Sequence, residues 1–325
     1  MNHKATLPDT VETPDSVLVM PEPIERSDIE AAAKRIAGFV RLTPTIDLGS
    51  VLSDDWKLVL KMENLQVTGA FKARGAFNIL LSVHPEAVVA ASGGNFGKAV
   101  AYAAERLGIP ATIFVPASSP KEKLDAIARF GADVKVIDGY YYDALAASQE
   151  YAEATGHFAA HAYDQPEVMA GQGTVAYEIG DQVDGVTSVL VAVGGGGLIG
   201  GTASWFRDEV EVIGVESELC PTLHAARANG APIEVEVGGI AASSLGARKL
   251  GEHPWTANQW IEGSVLISDR SIVDAQDWLW DQCRLWVEPA SATTIAALRE
   301  GQITPDPGEV VVAVLSGANL AMGKS

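Results

Sequence analysis

Four short stretches of this chain hold residue types that can do chemistry. In Thr68-Gly69-Ala70-Phe71-Lys72-Ala73-Arg74-Gly75-Ala76, one amine follows a glycine hinge where a helix should begin. Burial lowers a lysine's pKa, and the free amine can then condense with a carbonyl. Gly194-Gly195-Gly196-Gly197 follows an apolar strand-like run, and Leu198-Ile199-Gly200-Gly201 opens a helix. Bare backbone N–H groups and a helix N-terminus suit a phosphate. Ser92-Gly93-Gly94-Asn95 stands at another strand-to-helix junction, where small residues leave N–H groups open to a carboxylate. Ser316-Gly317-Ala318-Asn319 sets a hydroxyl at a strand's carboxyl end, where ligands meet open sheets. Each stretch also has a plain reading: a surface lysine, a tight turn, an Asn-containing loop, a Ser helix cap.

The glycine run has a second chemical reading. Gly195, Gly197 and Gly200 satisfy G-x-G-x-x-G, and Glu216 ends the next expected strand. That spacing, about twenty residues, fits a dinucleotide site with the carboxylate on the ribose. It leaves Lys72 and the other two stretches unused.

These stretches depend on an alternation of β-branched and Ala-rich runs. Strands are expected at 57–61, 87–91, 111–115, 134–137, 186–193, 210–215 and 310–315. Helices are expected near 72–82, 96–107, 120–130, 142–154, 166–181, 198–207, 271–282 and 290–299. Such alternation predicts an α/β protein with open, mostly parallel sheets covered on both faces. A first helix is expected after residue 26, with Ser27 as N-cap, Glu30 completing a capping box and Gly38 ending the run. Residues 1–24, with four prolines, read as a flexible tail. Residues 85 to about 160 read as one compact block, and the region after about 165 reads as a second. The stretch 217–265 shows no clear period. Trp255, Trp260, Trp278, Trp280 and Trp286 crowd one region and read as core packing, with a subunit interface as the alternative.

Composition narrows the partners. With 23 basic and 42 acidic residues the formal charge is −19. That surface repels nucleic acid and anionic membranes. Cys220 and Cys283 belong to no CxxC or His/Cys cluster, so no zinc is expected and a reducing cytoplasm is the simplest location. No secretory signal or membrane-spanning stretch is expected.

Taken together, the four stretches, in this order, resemble the fold type II pyridoxal-5′-phosphate (PLP) enzymes, in the serine/threonine dehydratase and serine racemase branch. The resemblance spans residues 27–325, and Glu288-Pro289-Ala290-Ser291-Ala292 is similar to the family's acidic-proline segment. It implies two sheet domains, a large PLP-binding one of 25–84 plus 165–325 and a small substrate-binding one of 85–164, with the cofactor in the cleft between them. It also implies roles. Lys72 would hold PLP as a Schiff base, and Gly194, Gly195, Gly196, Gly197 and Leu198 would cradle its phosphate. Asn95 would bond the phenolic oxygen, Phe71 would pack on the ring, and Ser316 would meet the pyridine nitrogen. Ser92, Gly93, Gly94 and Asn95 would receive the substrate carboxylate.

The implied activity is β-elimination of a hydroxyamino acid such as L-threonine or L-serine to a 2-oxo acid and ammonia, in a homodimer or larger homo-oligomer. A racemase or a 3-hydroxyaspartate dehydratase is the alternative. A dinucleotide oxidoreductase and a non-catalytic PLP-binding protein stand further off. The chain departs from the family pattern in places. Phe96 and Lys98 stand where histidine and glutamine are common. The racemases' serine on the face opposite the lysine corresponds to Gly93, so racemisation is expected to be weak or absent. The family's divalent-cation site corresponds to Glu216, the Cys220 carbonyl and Thr222. Thr222 lacks the second carboxylate, so no metal is expected.

Overall fold

A computed structural model describes residues 21–320. The strands are β1 (Thr45–Gly49), β2 (Lys57–Lys61), β3 (Val88–Ala91), β4 (Ala111–Pro116), β5 (Asp133–Ile137), β6 (Phe158–Ala160), β7 (Ser188–Ala192), β8 (Glu211–Ser217), β9 (Gly263–Ile267) and β10 (Val310–Val314). The helices are α1 (Arg26–Ile36), α2 (Lys72–Val83), α3 (Asn95–Leu107), α4 (Lys121–Ala128), α5 (Tyr141–Thr155), α6 (Pro166–Gln182), α7 (Gly197–Phe206), α8 (Thr222–Asn229), α9 (Ala242–Leu245), α10 (Glu252–Thr256), α11 (Asp269–Cys283) and α12 (Pro289–Arg299).

The strands sort into two sheets. One has the order β1-β2-β10-β7-β8-β9, the other β5-β4-β3-β6. All pairings are parallel except β1 with β2. β3 and β7 are buried along their whole length, so they read as unbroken apolar runs rather than as alternation. In the larger sheet successive residues feed opposite faces. Val189, Val191, Val312 and Val314 pack toward α1, α6 and α7. Leu190, Val311 and Ala313 pack toward α11 and α12. A third cluster joins Ala73, Ala76, Phe77 and Leu80 of α2 to α3 and the smaller sheet.

Parallel pairing puts the carboxyl ends of neighbouring strands on one edge. Ala313 pairs with Leu190, so Ser316 after β10 and the glycines after β7 emerge side by side. Val88 pairs with both Ala111 and Phe158, so the loops after β4, β3 and β6 also share an edge.

Several expectations need correcting. α1 starts one residue before the expected cap: Glu25 is the N-cap, and Asp28, not Glu30, completes the capping box. β1, β6 and β9 were not expected. They are short, and much of each is only partly buried, so they carry little hydrophobic pattern. The stretch 217–265 holds α8, α9 and α10, all too short to show a period. The expected tail lies outside the described residues except for 21–24. Trp255, Trp260 and Trp278 pack on the core, but Trp280 and Trp286 are 46% and 53% exposed. No helix among the described residues is long and apolar enough to cross a membrane.

Candidate active site

Lys72 is the first residue of α2, held in place by the segment after β10. Ala70 bridges Gly317, Phe71 N–H donates to Ser316 O at 3.1 Å, and Ala318 N–H donates to Gly69 O at 2.9 Å. Thr68 and Gly69 reach this pairing with φ of 66° and 78°, a left-handed turn that Gly69 takes without strain. Two stretches nearly 250 residues apart are thereby stitched together. Buried Arg74, one step further into α2, binds Glu63 and Glu178 at 2.8 and 2.6 Å. Lys61 joins the network through Glu178 at 2.5 Å.

Lys72 Nζ donates to Ala162 O at 2.8 Å, in the loop after β6. The Phe71 and Phe96 rings lie 5.0 and 5.9 Å away. Burial, with no carboxylate partner among the described residues, pushes its pKa down to about 8.

Facing it are the glycines. Gly196 has φ 90°, and α7 starts at the next residue. A Cβ on Gly195 would enter the Tyr163 ring, and one on Gly194 would lie 2.9 Å from Leu245 Cα. Among the described residues the N–H groups of 194–198 donate to no protein acceptor. A cradle closed to side chains and lined with free donors suits a phosphate.

Asn95 opens α3 with its amide held at both ends. Oδ1 accepts from Asn319 Nδ2 at 2.8 Å, and Nδ2 donates to Glu288 Oε1 at 2.7 Å. Asn319 also donates to Thr68 O and accepts from Lys98 Nζ, which fixes which end of each amide is nitrogen. One Asn95 N–H remains for a ligand. Glu288 also accepts from Ser244 at 2.9 Å, and burial pushes its pKa up. Ser92 Oγ accepts from Gly94 N–H. Ser316 Oγ lies 3.1 Å from Ser291 Oγ.

All twelve candidate residues (Phe71, Lys72, Ser92, Gly93, Gly94, Asn95, Gly194, Gly195, Gly196, Gly197, Leu198 and Ser316) line one cavity of about 410 Å³. Its lining holds two lysines, Lys72 and Lys123, and no carboxylate. In a chain of charge −19 this is a local reversal, suited to an anionic cofactor and an amino-acid carboxylate. The residues present therefore fit PLP: an amine, a phosphate cradle, aromatic packing and a hydroxyl. Sequence reasoning missed Tyr163, Ser119, Tyr141, Ser243 and Ser244, which also line the cavity. Tyr163 and Ser119 sit in loops after β6 and β4, so their only signal was position at a strand's carboxyl end.

The dinucleotide reading loses its carboxylate. Glu216 is fully buried, and its oxygens accept from Leu223 N, His224 N and Ser264 Oγ. It caps α8 and is closed to a ribose. Those donors already take up the Glu216 carboxylate, and Thr222, at the place of the second carboxylate, offers only a hydroxyl whose proton goes to Gly194 O at 2.5 Å. This donor set does not fit the family's divalent-cation site.

An α/β protein with two parallel-rich sheets, a half-buried lysine and a glycine loop suited to a phosphate fits a narrow class of cofactor enzymes. The family described as "Pyridoxal-phosphate dependent enzyme" matches residues 36–317, and the chain belongs to it. It is 37% identical over 271 residues to L-threonine ammonia-lyase of Geobacter sulfurreducens, covering 81% of this chain and 67% of that protein. The T.th. threonine deaminase superposes with a TM-score of 0.85 at 30% identity, over 92% of this chain and all of that one. Maize serine racemase gives 0.86 at 28% identity, over 92% and 94%.

Proposed function

We propose that this chain is a PLP-dependent ammonia-lyase that converts a hydroxyamino acid, L-threonine first and L-serine next, to a 2-oxo acid and ammonia. The observation that carries the reading is Lys72 Nζ, part-buried, without a counter-ion among the described residues, and sharing a cavity with the glycine loop. The ammonia-lyase and deaminase relatives support the substrate class.

When bound, PLP draws electrons from the bonds at the substrate's Cα. Lys72 Nζ would be its attachment point, and the free amine would take the Cα proton. The N–H groups of 194–198 would hold the phosphate, and those of the 92–95 loop the substrate carboxylate. Asn95, through its free N–H, Phe71 and Ser316 would hold the ring. Among the described residues Ser316 Oγ meets Ser291 Oγ and no carboxylate, so a ring nitrogen there would have no fixed carboxylate to hold its proton. This favours loss of the β-hydroxyl as water over transamination.

The proposed division is 25–84 plus 165–325 as the cofactor-binding unit and 85–164 as the substrate unit. It is supported by the sorting of strands into two sheets. The free thiols Cys220 and Cys283 are in keeping with a cytoplasmic location, and the exposed Trp280–Trp286 pair with a homodimer. The deciding experiment is 2-oxo acid release from purified holoenzyme over a panel of hydroxyamino acids, with the visible spectrum recorded alongside. Release from L-threonine or L-serine is expected. A bound-cofactor spectrum with no 2-oxo acid from any of the panel would refute the reading.

A further inference from the structure

Gly93 has no side chain to carry a proton, yet the space where one would begin is filled. A Cβ built on Gly93 would collide with Ser119 Oγ and lie 3.1 Å from Ser119 Cβ. Ser119 comes from the loop between β4 and α4, where its N–H donates to Pro116 O at 2.9 Å and closes a turn. It is half-buried and lines the same cavity as Lys72 and Gly93. Among the described residues its hydroxyl has no hydrogen-bond partner, so it is open to a ligand.

Strand order fixes the sides. In the smaller sheet β3 lies between β4 and β6. The 92–95 loop after β3 is therefore flanked by Ser119's loop on one side. On the other side is the loop after β6, whose Ala162 carbonyl holds Lys72 Nζ at 2.8 Å. The Lys72 amine and the Ser119 hydroxyl thus approach the 92–95 loop from opposite flanks.

We propose that Ser119 is a second catalytic residue, a hydroxyl that exchanges a proton with Cα on the side away from Lys72. The inference rests on the proposed function for the cofactor and for Lys72 as first base. Lys72 Nζ takes the Cα proton, and the electron pair of that bond stays with the substrate. Ser119 Oγ–H then gives a proton to the same carbon from the opposite side. Solvent water carries a proton from the Lys72 ammonium back to the Ser119 oxygen. One Cα–H bond breaks and one forms, with no net change in atoms or charge, and the product is the mirror-image amino acid. Elimination competes at every turnover, so racemisation is the minor outcome.

The test measures D-serine and pyruvate together from L-serine and purified holoenzyme. D-serine is expected at a lower rate than pyruvate. Ser119→Ala should lower the D-serine to pyruvate ratio by roughly 100-fold, the scale of one positioned proton donor. Adding Gly93→Ser to that variant should restore most of the ratio, because the new hydroxyl starts beside the lost one. A second readout needs no turnover. Gly93→Ser alone should lower the melting temperature of the cofactor-free protein, and Ser119→Ala in the same chain should recover it. No D-serine from the wild type, an unchanged ratio in Ser119→Ala, or an unchanged melting temperature in Gly93→Ser would each overturn the inference. D-serine formed through Ser119 with no 2-oxo acid from any hydroxyamino acid would sink the lyase reading and leave this one standing.

Discussion

At the scale of single residues, Lys72 has a pKa of about 8 because burial strips its ammonium of water without supplying a carboxylate. An ordinary lysine titrates near 10.4, roughly, so the amine becomes available two units earlier. The rate at which cofactor-free protein takes up PLP should therefore rise through about pH 8 and level off above it, read as growth of the visible band. Between that pH and the ordinary lysine value, the unfolded chain binds a proton that the folded one does not. This group's contribution to stability thus grows with pH across that window and is absent below it. Gly195→Ala tests the cradle. Its methyl enters the Tyr163 ring, so cofactor binding should weaken by roughly 10- to 100-fold, measured by equilibrium dialysis. Lys72, the glycines and Ser316 were legible in the sequence because each breaks a local pattern. Ser119 was not, since a serine in a loop is unremarked until folding lays it over Gly93.

At the scale of elements, α2 carries Lys72 at its start and a buried ion network two residues further in. Burial alone would raise the Glu63 pKa, but the Arg74 guanidinium outweighs it and holds the carboxyl below its usual range. Burial likewise works against the Arg74 charge, and Glu63 with Glu178 more than compensates. Arg74→Met leaves two carboxylates and Lys61 in the interior with their balance broken. The expected loss is about 3–5 kcal/mol, read from urea unfolding of the cofactor-free protein. A loss below 1 kcal/mol, roughly, would show that water reaches the network. The long helices were legible from their Ala-rich runs. α8 was hidden because its capping carboxylate, Glu216, comes from β8 and not from the residue before the helix. Local capping patterns describe only neighbours in sequence.

At the scale of the whole molecule, alternation of strands and helices gave the parallel α/β class and left the strand order open. The order came from burial. β10, the last strand in sequence, is apolar nearly throughout and lies between β2 and β7, while partly exposed β1 and β9 take the edges. The −19 charge and the exposed tryptophans make opposing demands on assembly. Trp280 and Trp286 meet edge to face at 6.1 Å, and Arg284 lies over Trp280. If this face joins two copies, sedimentation should show a dimer that Trp286→Glu converts to monomer at micromolar concentration. An unchanged dimer would place the contact elsewhere. The pairing of Ala70 with Gly317 also sets a timetable for synthesis. The ribosome makes the lysine early and its clamp nearly 250 residues later. The strands of the smaller sheet all precede residue 161, so they leave the ribosome well before that clamp, and Lys72 takes its clamped position only after residue 318 has emerged.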